Sequence, residues 1–278
     1  MAILLFDLLT FLMDYVPLLT SVAVVAAFFL LFSKSIEKHT TAYYIIFGIP
    51  FVLSLIQFIF ALTKITTFSF YKTPIVGNIM GVNGHMAVFG FPLLIVIMYI
   101  GALNTKNTAI RKLMSIRKEM SIISGFPVLT HALVRVTYTF PHALKYFTNH
   151  SGYIAENDWI KNDLAAVLSN FGYVLGVVMT ALFLVLWVTS FDSVRRKMGG
   201  RSWKKVQRWS YALYAMLFIH SITLHLGWLI NSGFKDSAYA TKEIIGITST
   251  VLIFLSYLIL RLRKATDFFI HHNSTLTD

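Results

Sequence analysis

The sequence of 278 residues contains no cysteine, few charged residues and no polar stretch long enough to fold as a separate domain. Without cysteine, the chain itself forms no disulfide, no thiolate metal site and no cysteine-ligated iron–sulfur cluster. Charged residues make up 13% of the chain, whereas soluble globular proteins have about 25%. There is also no GxGxxG nucleotide fingerprint, no catalytic triad pattern of a soluble enzyme and no nucleic-acid-binding motif. These absences favour a single membrane domain.

Long apolar segments fill the rest of the sequence. Hydrophobic residues make up 56% of the chain, and the mean hydropathy is +0.69. A membrane-spanning helix needs about 20 mostly apolar residues. Seven segments meet this requirement, at 15–33, 42–63, 85–103, 121–140, 164–190, 210–230 and 244–262. The sequence therefore predicts an all-α, polytopic membrane bundle of about seven transmembrane helices.

The distribution of charge predicts how this bundle is oriented. Segment 104–120 has five basic residues and one acidic residue, and segment 191–209 has seven basic residues and one acidic residue. The segments 64–84, 141–163 and 231–243, which alternate with them, are close to neutral. Since cytoplasmic loops are rich in Lys and Arg, we expect a protein of the inner (cytoplasmic) membrane with a cytoplasmic C-terminus. The basic face would attract anionic lipid or dock an acidic flavin or nicotinamide protein.

Two histidines occupy matching depths in the predicted bundle. His131 and His220 each lie ten residues beyond the start of their predicted spans at Ser121 and Ser210. At 1.5 Å per residue, both lie roughly 15 Å from the basic side, close to the middle of the bilayer. Neutral imidazoles bind iron well. Two such residues on parallel helices predict one haem b with His131 and His220 as its axial ligands.

Arg135 strengthens this interpretation, because it follows His131 by four residues and so lies on the same helix face. An arginine at that depth needs an anion, and a haem propionate would supply one, with Tyr138 one turn further as a hydrogen-bond donor. No carboxylate lies deep in the second to seventh predicted spans. That absence counts against a proton-coupled transporter.

Other functions stay open at this stage. His85 and His225 lie nearer the outer surface and suit either a second haem or interfacial positions. A histidine inside a membrane also commonly forms hydrogen bonds between helices. The alternatives to a cytochrome are a small multi-pass transporter or channel that uses the intramembrane histidines, and a non-catalytic assembly subunit.

Two stretches resemble the ferric reductase-like transmembrane family. They are TSFDSVRRKMGGRSWKKVQRWSYALYAMLFIH, which ends at His220, and IRKLMSIRKEMSIISGFPVLTHALVRV, which contains His131. The pattern is most similar to the haem-binding membrane subunit of the periplasmic methionine sulfoxide reductase system. The resemblance covers roughly residues 75–230, which divides the chain into N-terminal helices (1–74), the haem domain (75–230) and a last helix with a cytoplasmic tail (231–278).

The resemblance implies an oxidoreductase-type electron-transfer subunit rather than an enzyme that forms or breaks covalent bonds itself. It implies a separate flavin reductase as donor and a bound FMN or other flavin. The cytochrome interpretation itself predicts a cytoplasmic reductase or a quinol as donor at the basic face and a redox partner on the outer side. The sequence departs from the branch at Gln207, where related chains often have histidine. It also lacks the paired histidines of the two-haem members of the family.

Overall fold

In a computed structural model, the described residues are 17–63, 89–157, 160, 162–233 and 237–274, and they form helices with no strand among them. We number the α-helices in chain order. Their bounds are α1 Pro17–Leu31, α2 Ser33–Lys38, α3 Thr40–Thr63, α4 Phe91–Ala102, α5 Thr108–Ser115, α6 Arg117–Val134, α7 Phe140–Thr148, α8 His150–Glu156, α9 Asp163–Val188, α10 Asp192–Met198, α11 Gly200–Gln207, α12 Ser210–Ser232 and α13 Ser237–Ser274.

Five helical stretches are long and apolar enough to cross a membrane. They are Thr40–Phe60, Arg117–Thr148, Asp163–Val188, Gly200–Ser232 and Ser237–Thr266. Two shorter apolar helices, Leu18–Leu31 and Phe91–Ala102, coincide with the first and third predicted spans. The all-helical membrane fold is thus confirmed. A count of seven spans stays a prediction, since the beginning of the third predicted span lies outside the described residues.

Helix α4 lies at the centre of the bundle. Nine of its twelve residues are buried, as expected for a helix that is apolar on every side. Its residues enter three separate apolar clusters, with α1, α5 and α6 on one side, α6, α9 and α12 on another, and α12 and α13 on the third. The outward faces of the other long helices are rich in exposed apolar side chains, as a lipid environment requires.

The predicted loops contain short helices that hydropathy alone did not indicate. Helix α2 lies in the predicted loop 34–41, α5 in 104–120, α7 and α8 in 141–163, and α10 and α11 in 191–209. Asparagine caps account for some of these starts. The side chain of Asn107 accepts hydrogen bonds from the first turn of α5, and that of Asn149 from Gly152 in α8. Gly199, at φ +75°, provides the left-handed residue that separates α10 from α11.

The two most basic predicted loops meet at one end of the bundle, which we call the basic end. There, Lys118 of α6 pairs with Asp192 of α10 at 3.0 Å. The opposite end, which we call the far end, is closed by α7 and α8 against the beginning of α9. At the far end the Tyr146 hydroxyl donates a hydrogen bond to Asp163 at 2.9 Å. The predicted separation of charge between the two ends therefore agrees with the fold.

Candidate cofactor site

His220 lies in the middle of α12 with its ring turned toward α9. Its Nδ1 atom is 2.8 Å from the carbonyl oxygen of Gly172. A carbonyl oxygen only accepts hydrogen bonds, so Nδ1 carries the proton and the neutral imidazole has its lone pair on Nε2. Metal-ligating histidines are commonly oriented in this way, by donating the second ring N–H to a backbone carbonyl. The geometry thus leaves Nε2 as a potential iron ligand.

Glycines of α9 make room for this ring. A Cβ atom on Gly176 would lie 3.1 Å from Cε1 of His220 and 3.5 Å from its Nδ1. A Cβ on Gly172 would lie 2.9 Å from the hydroxyl of Thr223. The close approach of α9 and α12 therefore depends on both glycines, and it is this approach that brings the Gly172 carbonyl to the imidazole.

His131 lies one helical turn from the same apolar cluster as His220. Val128 and Leu217 lie three residues before the two histidines, hence on the same helix faces, and both belong to one buried apolar cluster. The Nδ1 atom of His131 is buried as well. Helix α9 packs against both α6 and α12, whereas these two helices make at most slight contact with each other over the described residues. The two predicted ligands thus lie on helices that both border one apolar cluster, which we call the shared interior.

Arg135 begins a single π-helical turn, Arg135–Thr139, that interrupts the helix after His131. Its Nη1 atom donates to the hydroxyl of Thr139 at 3.3 Å. The guanidinium is also close enough to Tyr173 and His220 to act on both electrostatically. Turns of this kind are frequent at functional sites. The arginine therefore stands between His131 and the far end, as its spacing predicted.

A far-end cavity of about 360 Å³ opens next to Arg135. Its lining is mostly polar and aromatic and includes Tyr138, His142, Tyr153, Asn157, Ser169, Asn170, Tyr173, Trp228 and Asn231. The Asn170 amide donates to the Tyr153 hydroxyl at 3.1 Å, which holds α8 to α9. Of the residues that line this cavity, the sequence predicted a role only for Arg135 and Tyr138, because the others have no local motif.

A second cavity, of about 690 Å³, opens at the basic end. Five cations line it, namely Arg117, Lys118, Arg195, Lys204 and Arg208. Aromatic rings lie among them, and the Arg195 guanidinium stacks over Trp203 at 4.7 Å. The apolar floor includes Leu186 and Leu213, which belong to the cluster just below the two histidines. This basic-end cavity therefore leads from the charged surface toward the shared interior.

Two acidic residues also line the basic-end cavity, and both pair with Lys118. Its ammonium lies 3.2 Å from Glu119 and 3.0 Å from Asp192. The hydrogen bond from Lys118 holds the pKa of the Asp192 carboxyl below its usual value. With both carboxylates engaged by one lysine, the other four cations dominate the charge of the cavity.

Gln207 lines the same cavity and joins two helices. Its Nε2 atom donates to the Thr189 hydroxyl at 2.9 Å and to the Leu186 carbonyl at 3.3 Å. These contacts tie the segment before α12 to the end of α9. An amide fulfils this structural role, but it is not an iron ligand.

The remaining predicted site residues have different surroundings. The Nδ1 atom of His225 lies 2.6 Å from the Glu243 carboxylate of α13, and a Cβ on Gly246 would lie 2.7 Å from its ring. His225 is thus in hydrogen-bond contact with Glu243 of the neighbouring helix, a partner that the sequence did not indicate. His85 lies outside the described residues. A second haem on these two histidines stays a prediction.

The donor set among the described residues fits a haem better than a metal bound only by side chains. No group of three or more His, Asp or Glu side chains there could hold a metal ion, whereas a haem needs only one or two axial ligands from the protein. His220 has the tautomer of a ligand, and His131 lies one turn from Val128, which belongs to the same apolar cluster as Leu217, one turn from His220.

The regions of the chain that match known proteins amount to about half of its length. Residues 83–218 match the family described as "Ferric reductase like transmembrane component". A protein of Treponema pallidum (strain Nichols), described as uncharacterized, is 29% identical over 155 residues. That match covers 56% of this chain and 37% of the relative's own length. No solved structure matches.

Proposed function

We propose that the chain, whose residues 83–218 match the ferric reductase-like transmembrane family, is the membrane cytochrome of an electron-transfer system. One haem b would be held between His131 and His220. The observation that carries this proposal is the hydrogen bond from Nδ1 of His220 to the Gly172 carbonyl, which fixes Nε2 as the free lone pair. When bound, the haem supplies a one-electron carrier in the middle of the bilayer.

The chain's own residues would set the environment of that carrier. The interior between α6 and α12 is apolar, which excludes water and fixes the imidazoles in place. Arg135 would neutralise a propionate on the side of the far end, with Tyr138 as a hydrogen-bond donor. The His220 imidazole, as a neutral donor held by a backbone carbonyl, would influence the redox potential through its basicity.

The basic-end cavity is suited to the electron donor. By the positive-inside rule its cations would put this end in the cytoplasm, with the far end outside and the C-terminus on the cytoplasmic side of the inner membrane. Four cations that line the cavity and form no salt bridge among the described side chains, together with its tryptophan and tyrosine rings, suit a phosphate-bearing flavin such as FMN. A separate flavin reductase or a quinol would supply the electrons there. As the membrane subunit of a methionine sulfoxide reductase system, the chain would receive electrons from such a donor.

The far-end cavity would then give access to the acceptor. It lies beyond Arg135 and so on the path from the haem level to the outer side. Its amides, hydroxyls and single arginine suit a polar acceptor or a loop of an outer-side redox partner. The chain would transfer electrons without forming or breaking a covalent bond itself.

An absorbance spectrum of the detergent-purified protein, before and after dithionite, tests the proposal. We expect a Soret band with sharp reduced α and β bands in the wild type. His131→Ala and His220→Ala should abolish them, and His39→Ala, which changes an exposed histidine at the end of α2, should not.

Size-exclusion profiles of the same variants separate loss of haem from loss of fold, and His131→Gln and His220→Gln keep the side-chain volume. A colourless wild type from haem-replete cells would contradict the cytochrome and favour a transporter or channel. Full haem content in a folded His220→Gln variant would contradict the ligand assignment.

A further inference from the structure

Three cations converge on one residue at the basic end. Arg261 and Lys264 of α13 both donate to the carbonyl oxygen of Gly101, from Nη1 at 3.2 Å and from Nζ at 3.1 Å. A Cβ on Gly101 would lie 3.5 Å from Nη2 of Arg117. We call Arg117, Arg261 and Lys264 the Gly101 cation cluster. It lies where α4, α6 and α13 meet.

Among the described side chains, no carboxylate compensates the positive charge of this cluster. None of the salt bridges among the described side chains involves these three residues. Both Arg261 and Arg117 act electrostatically on Lys264, so the like charges are close enough to repel each other. The carbonyl groups and the Tyr211 hydroxyl that accept their hydrogen bonds carry no full negative charge. An anion at this point would remove the repulsion.

The cluster retains hydrogen-bond donors for such an anion. Arg261 uses one N–H for Gly101 and another for the Tyr211 hydroxyl, while a guanidinium has five. Lys264 contacts the carbonyls of Gly101 and Leu103, while an ammonium has three N–H groups. Guanidinium and ammonium groups are the usual partners of phosphate oxygens.

The surroundings place the cluster at the surface of the hydrocarbon layer. Trp209 and Tyr211, both largely exposed, lie at the same end of the bundle, and exposed aromatic residues mark the level of lipid headgroups. Along α13, away from that end, Leu255, Leu258 and Leu262 are each more than half exposed. Their spacing puts them on one side of the helix. Cations therefore lie at the end of an exposed apolar strip.

We propose that the Gly101 cation cluster binds the phosphate of an anionic phospholipid, with the acyl chains along the exposed leucines of α13. A free phosphate shares the headgroup chemistry but gains nothing from the apolar strip. The site is distinct from the proposed haem interior and does not depend on it. Since Arg117 and Tyr211 also line the basic-end cavity, Arg261 and Lys264 are the positions to change.

The test measures binding of phosphatidylglycerol to the delipidated full-length protein in neutral detergent, by native mass spectrometry and by the shift in Tm. The double variant Arg261→Gln/Lys264→Gln is compared with Arg263→Gln, an exposed cation on the same helix. Each basic residue near an anionic lipid surface contributes roughly a fivefold gain in affinity. We therefore expect about 25-fold weaker binding in the double variant and an affinity within about twofold of wild type for Arg263→Gln.

Phosphatidylcholine and inorganic phosphate, each tested alone, complete the experiment. The proposal holds if phosphatidylglycerol stabilises the wild type, if the double variant loses this response, and if neither control ligand reproduces it. Equal stabilisation by phosphatidylcholine would overturn it, because the cations would then be irrelevant. Equal stabilisation by phosphate would reduce the site to one for a free anion, and an unchanged response in the double variant would place the lipid elsewhere.

Discussion

Gly176 offers a sharp test of the orientation of His220. A Cβ atom there would lie 3.1 Å from Cε1 of the imidazole, whereas carbon atoms in good contact are about 3.5–4.0 Å apart. In Gly176→Ala the ring must therefore move by roughly half an ångström, or α9 must shift by as much. The hydrogen bond from Nδ1 to the Gly172 carbonyl, now 2.8 Å long, would lengthen toward the upper limit of about 3.2 Å for a good bond.

The expected consequence is weaker haem binding with an intact fold. Loss of a group that orients a metal-ligating histidine typically lowers metal affinity by about 10- to 100-fold. The alanine variant only displaces the ring, so we expect a loss near tenfold, or about 1.4 kcal/mol. Gly176→Val adds two more carbons on the same side and should abolish haem binding. The assay is titration of haem into the apoprotein in detergent, followed by the Soret band.

Gly48→Ala is the matched control for this experiment. Gly48 also lies within a membrane helix, but a Cβ there would make only an ordinary contact with the Phe126 ring at 3.5 Å. The haem affinity of the Gly48→Ala variant should equal that of the wild type. If Gly176→Val bound haem as tightly as Gly48→Ala, the imidazole of His220 would not be the ligand held by Gly172, and the reasoning would fail.

Two further changes test the charged contacts at the ends of the bundle. Because the hydrogen bond from Lys118 depresses the pKa of Asp192, the pair stabilises the fold above the usual aspartate pKa of about 3.9 and loses this effect as the pH falls through the folded-state pKa. Asp192→Asn should therefore flatten the acid limb of a plot of Tm against pH, by an amount equivalent to about 0.2–1 kcal/mol as for other exposed pairs. An unchanged acid limb would contradict the contact. His225→Ala leaves the Glu243 carboxylate without its imidazole and should lower the free energy of unfolding by about 1–3 kcal/mol, as measured by thermal unfolding. Adding Glu243→Gln should recover part of this loss, and the haem content should stay at the wild-type value. Loss of half of the haem would instead identify His225 as a ligand of a second haem.

Hydropathy and charge predicted the parts of the fold that depend on length and composition. The span 164–190 was predicted two residues longer at one end than α9 is, and 210–230 matches α12 to within two residues. These segments are long and apolar throughout, so the lipid environment alone specifies them. The basic end was predictable for a similar reason, since the charge of each loop is a local property of the sequence.

The sequence could not predict contacts between distant residues. Gly172 and His220 are 48 positions apart, and nothing near either of them indicates that a carbonyl meets an imidazole. The same holds for Glu243, which was assigned to a loop but lies in α13 as the partner of His225. The π turn after Arg135 was missed too, because it changes the hydrogen-bond pattern of a helix without changing its apolar character. Such features arise from packing, which the hydrophobic pattern leaves undetermined.

The arrangement of α6, α9 and α12 gives an independent reason to place a cofactor between the two histidines. Helices packed directly against each other have axes about 8–10 Å apart, which leaves no room for a porphyrin between facing imidazoles. In the described part of the chain α6 and α12 are not packed in this way, and each lies against α9 instead. Below the histidines, Val128 of α6 and Leu217 of α12 belong to one apolar cluster that also includes residues of α4 and α9. Two depth-matched histidines on helices that are not packed directly against each other in the described part of the chain, one of them in a ligand's tautomer, are what the proposed membrane cytochrome requires.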